Sequence, residues 1–182
     1  FLDFQTFGSS PKPVFLFEGK TDNIYIRCAL TSLAVDYPEL ISNGASKQLM
    51  VRLFNYSKPT NAVQQLAGGT GDLQLLINNY ELRLRGLAAA TLAFPVILVV
   101  DNDKGSKDLF KAAGSKSDTK AKVDGSQPFY HITKNLYLVP TPTPKGMVES
   151  YIETFLPSSV LKKKLGKKTF HLPEKGFDST KH

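Results

Sequence analysis

This sequence has few of the features that mark secreted or membrane proteins. Its 182 residues include a single cysteine, Cys28, so no internal disulfide can form, as is usual in a reducing cytoplasm. No apolar run approaches the ~20 residues of a membrane-spanning helix. The first residues, FLDFQTF, lack the basic start and small-residue cleavage site of a signal peptide. We therefore expect a soluble cytoplasmic protein with no membrane partner, in which Cys28 is a small core residue.

Several common catalytic motifs are also missing. The three histidines, His131, His171 and His182, have neither the spacing nor the companions for a zinc site or a hydrolase triad. The glycine-rich stretch LAGGTGD (66–72) lacks the Lys-Ser/Thr of a P-loop and predicts at most a weak anion-binding nest. DNDKG resembles a calcium loop, but Ala112 stands where its closing Glu would be.

Positive charge is concentrated near the C-terminus. The formal net charge is +7, and residues 158–182 hold seven lysines against two acidic residues. A basic segment of this kind can neutralise phosphates, so nucleic acid is the expected partner. The alternative is a solvated end that binds nothing.

Apolar runs that alternate with helical patterns predict an α/β fold. The predicted strands are VFLF (14–17), QLMVRLFNY (48–56) and FPVILVV (94–100), and the predicted helices are residues 23–35, 72–87 and 146–156. A strand as apolar as FPVILVV is usually buried on both faces, as in a parallel sheet covered by helices. The pattern therefore predicts an open α/β sheet, with a largely buried first helix.

The domain organisation follows from composition. We expect a linker from a preceding domain at residues 1–13, a catalytic domain at 14–157 and a basic tail at 158–182. Within the domain, the Lys-, Gly- and Ser-rich residues 104–128 predict a flexible insertion that holds at most one short helix. Because the first residue is Phe rather than Met, we expect the chain to be part of a longer protein.

Acidic residues follow the first and third predicted strands. Glu18 comes directly after VFLF, Asp22 stands one helical turn beyond it, and Asp101 and Asp103 come directly after FPVILVV. Working residues of an open α/β sheet gather at the carboxyl ends of the strands, so these four meet if the strands are parallel neighbours. Clustered carboxylates need a cation, and an all-oxygen set suits Mg²⁺ or Mn²⁺. The alternative is that they only form turns or helix caps.

The motifs VFLFEGKTD (14–22) and VILVVDNDKG (96–105) resemble the signature of the Toprim family. This is the catalytic domain of type IA and type II topoisomerases, bacterial primases and the overcoming-lysogenization-defect nucleases, and the likeness runs from Val14 to Leu156. It implies a Rossmann-like parallel four-stranded sheet with helices on both faces. It also implies that Glu18, Asp101 and Asp103 bind Mg²⁺ and act in phosphoryl transfer.

EGKTDNIYI, the GGTGDL loop and the late VESYIE segment are more similar to the nuclease branch of the family than to topoisomerases or primases. That branch implies a second acid at Asp22, a later Glu at the start of a helix, here Glu149, and a catalytic Lys shortly before it, here Lys145. Two divalent ions, Mg²⁺ or Mn²⁺, are then expected. Asp101 and Asp103 would hold one ion, Glu18 and Asp22 the other, and Glu149 would bridge them or complete a shell.

Lysines are expected to contact the substrate. Lys20, Lys104 or Lys145 would balance charge on the pentavalent phosphate. The remaining lysines would guide the polymer without reading its sequence. The expected nucleic-acid-binding residues are Lys20, Lys104, Lys107, Lys162, Lys163, Lys164, Lys167 and Lys168.

The Phe-rich entry (residues 1–23) is similar to that of the C-terminal Toprim domain fused to certain retron reverse transcriptases, which are bacterial anti-phage systems. The resemblance implies a toxic nuclease of RNA or DNA in the bacterial cytoplasm. Its partners would be the reverse transcriptase domain of the same parent chain and the RNA-linked DNA of the retron. The alternative is a non-catalytic nucleic-acid-binding module that regulates the polymerase. Strand passage or primer synthesis would need partner domains, and none of the seven tyrosines has a recognisable transesterification context.

Overall fold

The computed structural model describes residues 1–169 except 43, 45, 88, 121, 166 and 167. One compact unit spans Phe1–Ser150, and a second begins at Tyr151. The strands of the first unit are β1 (Val14–Phe17), β2 (Arg52–Leu53), β3 (Val96–Val100), β4 (Tyr130–Thr133) and β5 (Leu136–Pro140). Its described α-helices are α1 (Asp22–Ser32), α2 (Lys58–Gln64), α3 (Thr70–Leu84) and α4 (Lys107–Lys116), preceded by a π-helical turn at Phe4–Gly8.

The strands of the first unit form one sheet with the order β2-β1-β3-β5-β4. Neighbouring strands are parallel except β4, which runs antiparallel to β5. The predicted α/β class is therefore confirmed, but the sheet has five strands rather than four. The condition under which the acids of the two strands would meet is fulfilled, because β1 and β3 are parallel neighbours with Phe17 opposite Val99.

Helices cover both faces of the sheet, and they cover the two faces unequally. On one face, Val14 and Leu16 join the central strands, α3 and α4 in a large buried cluster. On the other face, Phe17 joins a smaller cluster in which Ile26 and Leu30 of α1 are only partly buried. Burial along β3 alternates accordingly, so this apolar strand is fully buried on only one face.

The prediction that the first helix is largely buried is wrong. Asn23 is the buried residue of α1, whereas Ile24 is 60% exposed and Cys28 is also exposed, so Cys28 is not a core residue. The physical reason is the position of α1, whose apolar contact with the β1 and β2 side of the sheet comes from Ile26 and Leu30, both only partly buried.

Two segments expected to lie outside the core belong to it. Phe7, in the predicted linker, is 1% exposed and packs on Tyr80 with ring centroids 5.8 Å apart. In the predicted insertion, α4 buries Leu109 and Phe110 in the same cluster. Spaced apolar residues thus anchor a segment whose overall composition is polar. The predicted second strand is shorter than expected and is reduced to β2.

The elements that the structure describes in the second unit are short. They are a 3₁₀ helix at Ile152–Phe155, α5 (Ser158–Leu161) and an antiparallel pair formed by β6 (Lys164–Leu165) and β7 (Lys168–Thr169). The predicted helix over 146–156 is therefore wrong, and Glu149 precedes the 3₁₀ turn in an irregular segment. Within the part of the chain that the structure describes, no helix is long and apolar enough to cross a membrane.

Candidate metal centre

The first acidic turn, Glu18–Asp22, joins β1 to α1. It is closed by Asp22, whose Oδ2 accepts a hydrogen bond from the Gly19 backbone N–H at 2.8 Å. A Cβ at position 19 would stand 2.8 Å from Asp22 Oδ1, so only glycine lets this carboxylate approach the backbone so closely. The sequence EGKTD therefore folds Asp22 back toward Glu18.

Two further groups hold the end of β1 in place. The Gly69 N–H donates to the Glu18 carbonyl at 2.8 Å, and the Tyr56 hydroxyl donates to the Phe17 carbonyl. The glycine-rich loop before α3 thus supports the backbone of Glu18. Burial raises the pKa of Tyr56, and the charges of Asp72, Asp22 and Glu18 add to that rise, so this phenol belongs to the acidic neighbourhood. Sequence reasoning missed Tyr56, because no motif connects it to β1.

The second acidic turn, Asp101–Ser106, joins β3 to α4. Asp103 closes it by accepting the Ser106 N–H at 3.0 Å. Glu18 reaches this turn from β1, since its Oε2 accepts the Asp101 N–H at 3.4 Å. The structure therefore brings Glu18, Asp22, Asp101 and Asp103 to one edge of the sheet.

Asn102 ties the second acidic turn to a distant segment. Its N–H donates to the Ser150 carbonyl at 2.8 Å and to Thr141 Oγ1 at 3.0 Å, and its carbonyl accepts the Ser150 N–H at 2.9 Å. The Thr141 and Ser150 hydroxyls, both buried, lie 2.8 Å apart. The loop between them, residues 142–149, therefore begins and ends beside the turn. Nothing in the sequence pattern predicted this pairing.

This loop carries Glu149 to the site. Glu149 Oε1 lies 3.5 Å from Lys104 Nζ, and the two side chains are 37% and 80% exposed. Both line a cavity of about 220 Å³ together with Asp103 and Lys107. Glu149 is thus close to the second acidic turn, although a loop rather than a helix positions it.

The other predicted lysines are less closely tied to the acids. Lys20 and Lys145 are exposed, on the first acidic turn and on the 142–149 loop respectively. Lys162, Lys163 and Lys164 are exposed residues of the second unit. Lys167 lies outside the described residues, and the side chain of Lys168 is not described.

Burial makes the charge on the first acidic turn costly. It raises the pKa of Glu18, and the charges of Asp103 and Asp22 add to this effect, while the Asp101 N–H lowers the pKa. Burial also raises the pKa of Asp22, against the lowering effect of the Gly19 N–H. A bound cation would relieve both costs, because it favours the ionised carboxylates.

The donor set is of the right kind for Mg²⁺ or Mn²⁺, since every donor is a carboxylate oxygen. Within the described residues, no three acidic, histidine or cysteine side chains are close enough to form a ready set of ligands. Carboxylates of like charge repel one another, so such a set would close only around a cation that neutralises it. The residues therefore suit a divalent ion in their chemistry, and their side chains would have to rotate to enclose one.

The geometry defines an α/β sheet whose edge carries two acidic turns. No family model matches the chain, and no solved structure matches it.

Proposed function

We propose that this protein is a divalent-metal-dependent nuclease of the Toprim type. The observation that carries the proposal is the meeting of the two acidic turns, in which Glu18 accepts the Asp101 N–H and lies within the field of Asp22 and Asp103. Turn formation alone would not require a half-buried Glu18 to reach a neighbouring strand. The resemblance of the EGKTD and DND motifs to the Toprim signature supports the same reading.

The ligand assignment divides the acids between two ions. Asp101 and Asp103 would hold one ion, Glu18 and Asp22 the other, and Glu149 would complete a shell after it leaves Lys104. Two such ions activate a water molecule and stabilise the leaving oxygen in phosphodiester hydrolysis. The residues of the first acidic turn would stay in position because Gly19, Gly69 and Tyr56 fix their backbone.

Lysines would supply the rest of the electrostatics. Lys104 and Lys107 line the cavity beside Asp103, where they can face a bound phosphate. Lys20 and Lys145 are exposed and free to turn toward the polymer. The lysines at 162–164, and those at 167 and 168, would hold nucleic acid by its backbone charge, which gives affinity without sequence specificity.

In the cell, we assign this activity to a retron. The protein would be the toxic effector domain of a reverse transcriptase that acts in anti-phage defence in the bacterial cytoplasm. The polymerase domain and the RNA-linked DNA would hold it inactive until infection. This assignment is supported by the similarity of the first 23 residues to the entry of such domains.

The test is cleavage of labelled tRNA, single-stranded RNA and single-stranded DNA in Mg²⁺ or Mn²⁺, with EDTA as the metal-free control. We expect cleavage that needs metal and is lost in the Asp101→Asn/Asp103→Asn protein. Asp36→Asn, on an exposed residue beyond α1, is the matched control and should cleave normally. Absence of cleavage of all three polymers, with binding retained, would favour the non-catalytic regulatory module instead.

A further inference from the structure

A second cavity lies beside the second acidic turn, at the carboxyl end of β5. Its volume is about 570 Å³, within the usual range of small-molecule sites. None of the residues that line it is charged. Three of them are prolines, Pro128, Pro140 and Pro142, and the polar side chains are Ser126, Gln127 and Thr143. The cavity is therefore suited to a flat uncharged group rather than to a phosphate or a metal ion.

The walls of this cavity are tied directly to the acidic edge. The Asn102 side-chain amide donates to the Gly125 carbonyl at 2.9 Å and to Thr143 Oγ1 at 3.1 Å, so one residue between Asp101 and Asp103 holds both walls. Gly125 has a φ of +80°, and a Cβ there would stand 2.3 Å from Asn102 Oδ1. Only glycine fits this contact. β5 is also the parallel neighbour of β3, one strand spacing of ~4.8 Å away.

The wall formed by residues 125–128 is braced by Asp124, which precedes it and does not line the cavity. Asp124 Oδ1 accepts hydrogen bonds from the Ser126 N–H at 3.1 Å and from the Tyr130 hydroxyl at 3.1 Å. The Tyr130 oxygen in turn accepts the Gln127 N–H at 2.9 Å. Tyr130 is a buried residue of β4, so the sheet itself holds the backbone of Gln127 at the mouth of the cavity.

We propose that this cavity binds a nucleobase next to the scissile phosphate. The proline rings offer flat apolar contact to the face of a base, and the Gln127 amide can both donate to and accept from its edge. Because β5 is the strand next to β3 and Asn102 contacts both walls, a phosphate held at the acidic edge would place an adjacent base beside this cavity. The inference rests on the proposed nuclease function, and it adds that the substrate is an unpaired strand, because only an unstacked base can enter.

The test is a double-mutant cycle that combines removal of one base from the substrate with Gln127→Ala in the protein. Wild-type protein and Gln127→Ala are compared on a single-stranded oligonucleotide and on versions in which one nucleotide near the cut lacks its base. At one position we expect loss of the base to lower kcat/KM about 10-fold in the wild type, as for loss of a stacked base. Gln127→Ala should lower kcat/KM on the intact strand and leave it nearly unchanged on that base-less strand.

Gln48→Ala is the matched control, since Gln48 is exposed and precedes β2 at the opposite edge of the sheet. Gln48→Ala should leave kcat/KM unchanged on both the intact and the base-less strand. Equal losses for Gln127→Ala on both strands, or no position at which the base matters, would overturn the proposal.

A binding experiment separates this inference from the nuclease assignment. If the protein cleaves no polymer, the four nucleosides are titrated into ¹⁵N-labelled protein. Chemical-shift changes at the Gln127 side-chain amide and the Gly125 N–H of the wild type, with the Gly125 change lost in Gln127→Ala, would then uphold the base site while the nuclease fails. Absence of those changes would overturn the base site.

Discussion

The two acidic turns lie at the same edge of one sheet, yet they manage their charge differently. Carboxylates of both turns accept backbone N–H groups, but beside the second turn Glu149 also pairs with Lys104. On the first turn, Glu18 and Asp22 are half-buried, and no ion pair reaches them within the described part of the chain. Burial raises the pKa values of both carboxyl groups.

This difference indicates that a bound cation would stabilise the first acidic turn more than the second. A carboxylate that loses solvent without gaining a positive partner destabilises the folded protein when it is ionised. Natural proteins keep such groups where function requires them. Under the proposed function, the first acidic turn would sacrifice stability for a metal site, and the second would supply ligands from a turn beside an existing ion pair.

The largest expected effect is on cleavage. Glu18→Gln and Asp103→Asn should each lower kcat about 10³-fold, because each removes a ligand from a centre that contributes several kcal/mol of transition-state stabilisation. If the turns form one centre, the double variant should be little worse than either single variant. Single-turnover rates on the preferred polymer measure this, with the exposed Glu39→Gln as control. Effects that multiply would mean that the turns act independently.

A smaller effect is expected on stability without metal. Glu18→Gln removes a half-buried charge whose cost solvent partly screens, so in EDTA it should raise the Tm by at most about 2–4 °C, equivalent to about 1 kcal/mol for a chain of this size. Glu149→Gln, beside the second acidic turn, should leave the Tm nearly unchanged. Thermal melts in EDTA measure both, and a lower Tm for Glu18→Gln would contradict the assigned cost of its charge.

The gain in the free energy of unfolding from Glu18→Gln should depend on pH. The folded-state pKa of Glu18 lies above its ordinary value of 4.5, so the folded protein binds more protons than the unfolded chain between the two values. The stability contributed by this group is full below pH 4.5 and is lost as the pH rises through the raised pKa. Urea melts in EDTA should therefore show the two proteins most alike near pH 4 and furthest apart at neutral pH. A difference that shrinks with rising pH would refute this sign.

The smallest expected effect on stability is at the second acidic turn. Lys104→Ala breaks an ion pair in which the lysine is 80% exposed, and such surface pairs contribute at most about 1 kcal/mol. We expect the Tm to fall by no more than about 2 °C. The same variant should bind Mn²⁺ at least as well as wild type, since Glu149 is released. Calorimetry and melts together check both results, and weaker Mn²⁺ binding would mean that Lys104 positions Glu149.

Much of the sheet could be predicted because local pattern dictates it. The run VFLF matches β1 residue for residue, and the rule that acids at strand ends converge was enough to bring Glu18 near Asp103. The fifth strand was not predicted, because the two-residue turn between β4 and β5 contains no glycine that would mark it in the sequence. Lys134 takes the positive φ of +52° in this turn.

The misses at the site have a common cause, which is pairing over long sequence separation. Spaced apolar residues in 146–156 indicated a helix, but Ser150 pairs with Asn102, 48 positions away, and this pairing places Glu149 in a loop. Tyr56 reaches the Phe17 carbonyl across 39 positions. Such contacts depend on the assembled sheet and leave no periodic trace in the sequence.

The central claim is that both acidic turns serve one metal centre, and Mn²⁺ titration calorimetry tests it most directly. Wild type, Glu18→Gln, Asp103→Asn and the control Glu39→Gln would be titrated at neutral pH. We predict that wild type and the control bind Mn²⁺ and that a change in either turn weakens binding at least tenfold. Unchanged Mn²⁺ binding in both turn variants, or no binding by wild type with or without oligonucleotide, would contradict the account.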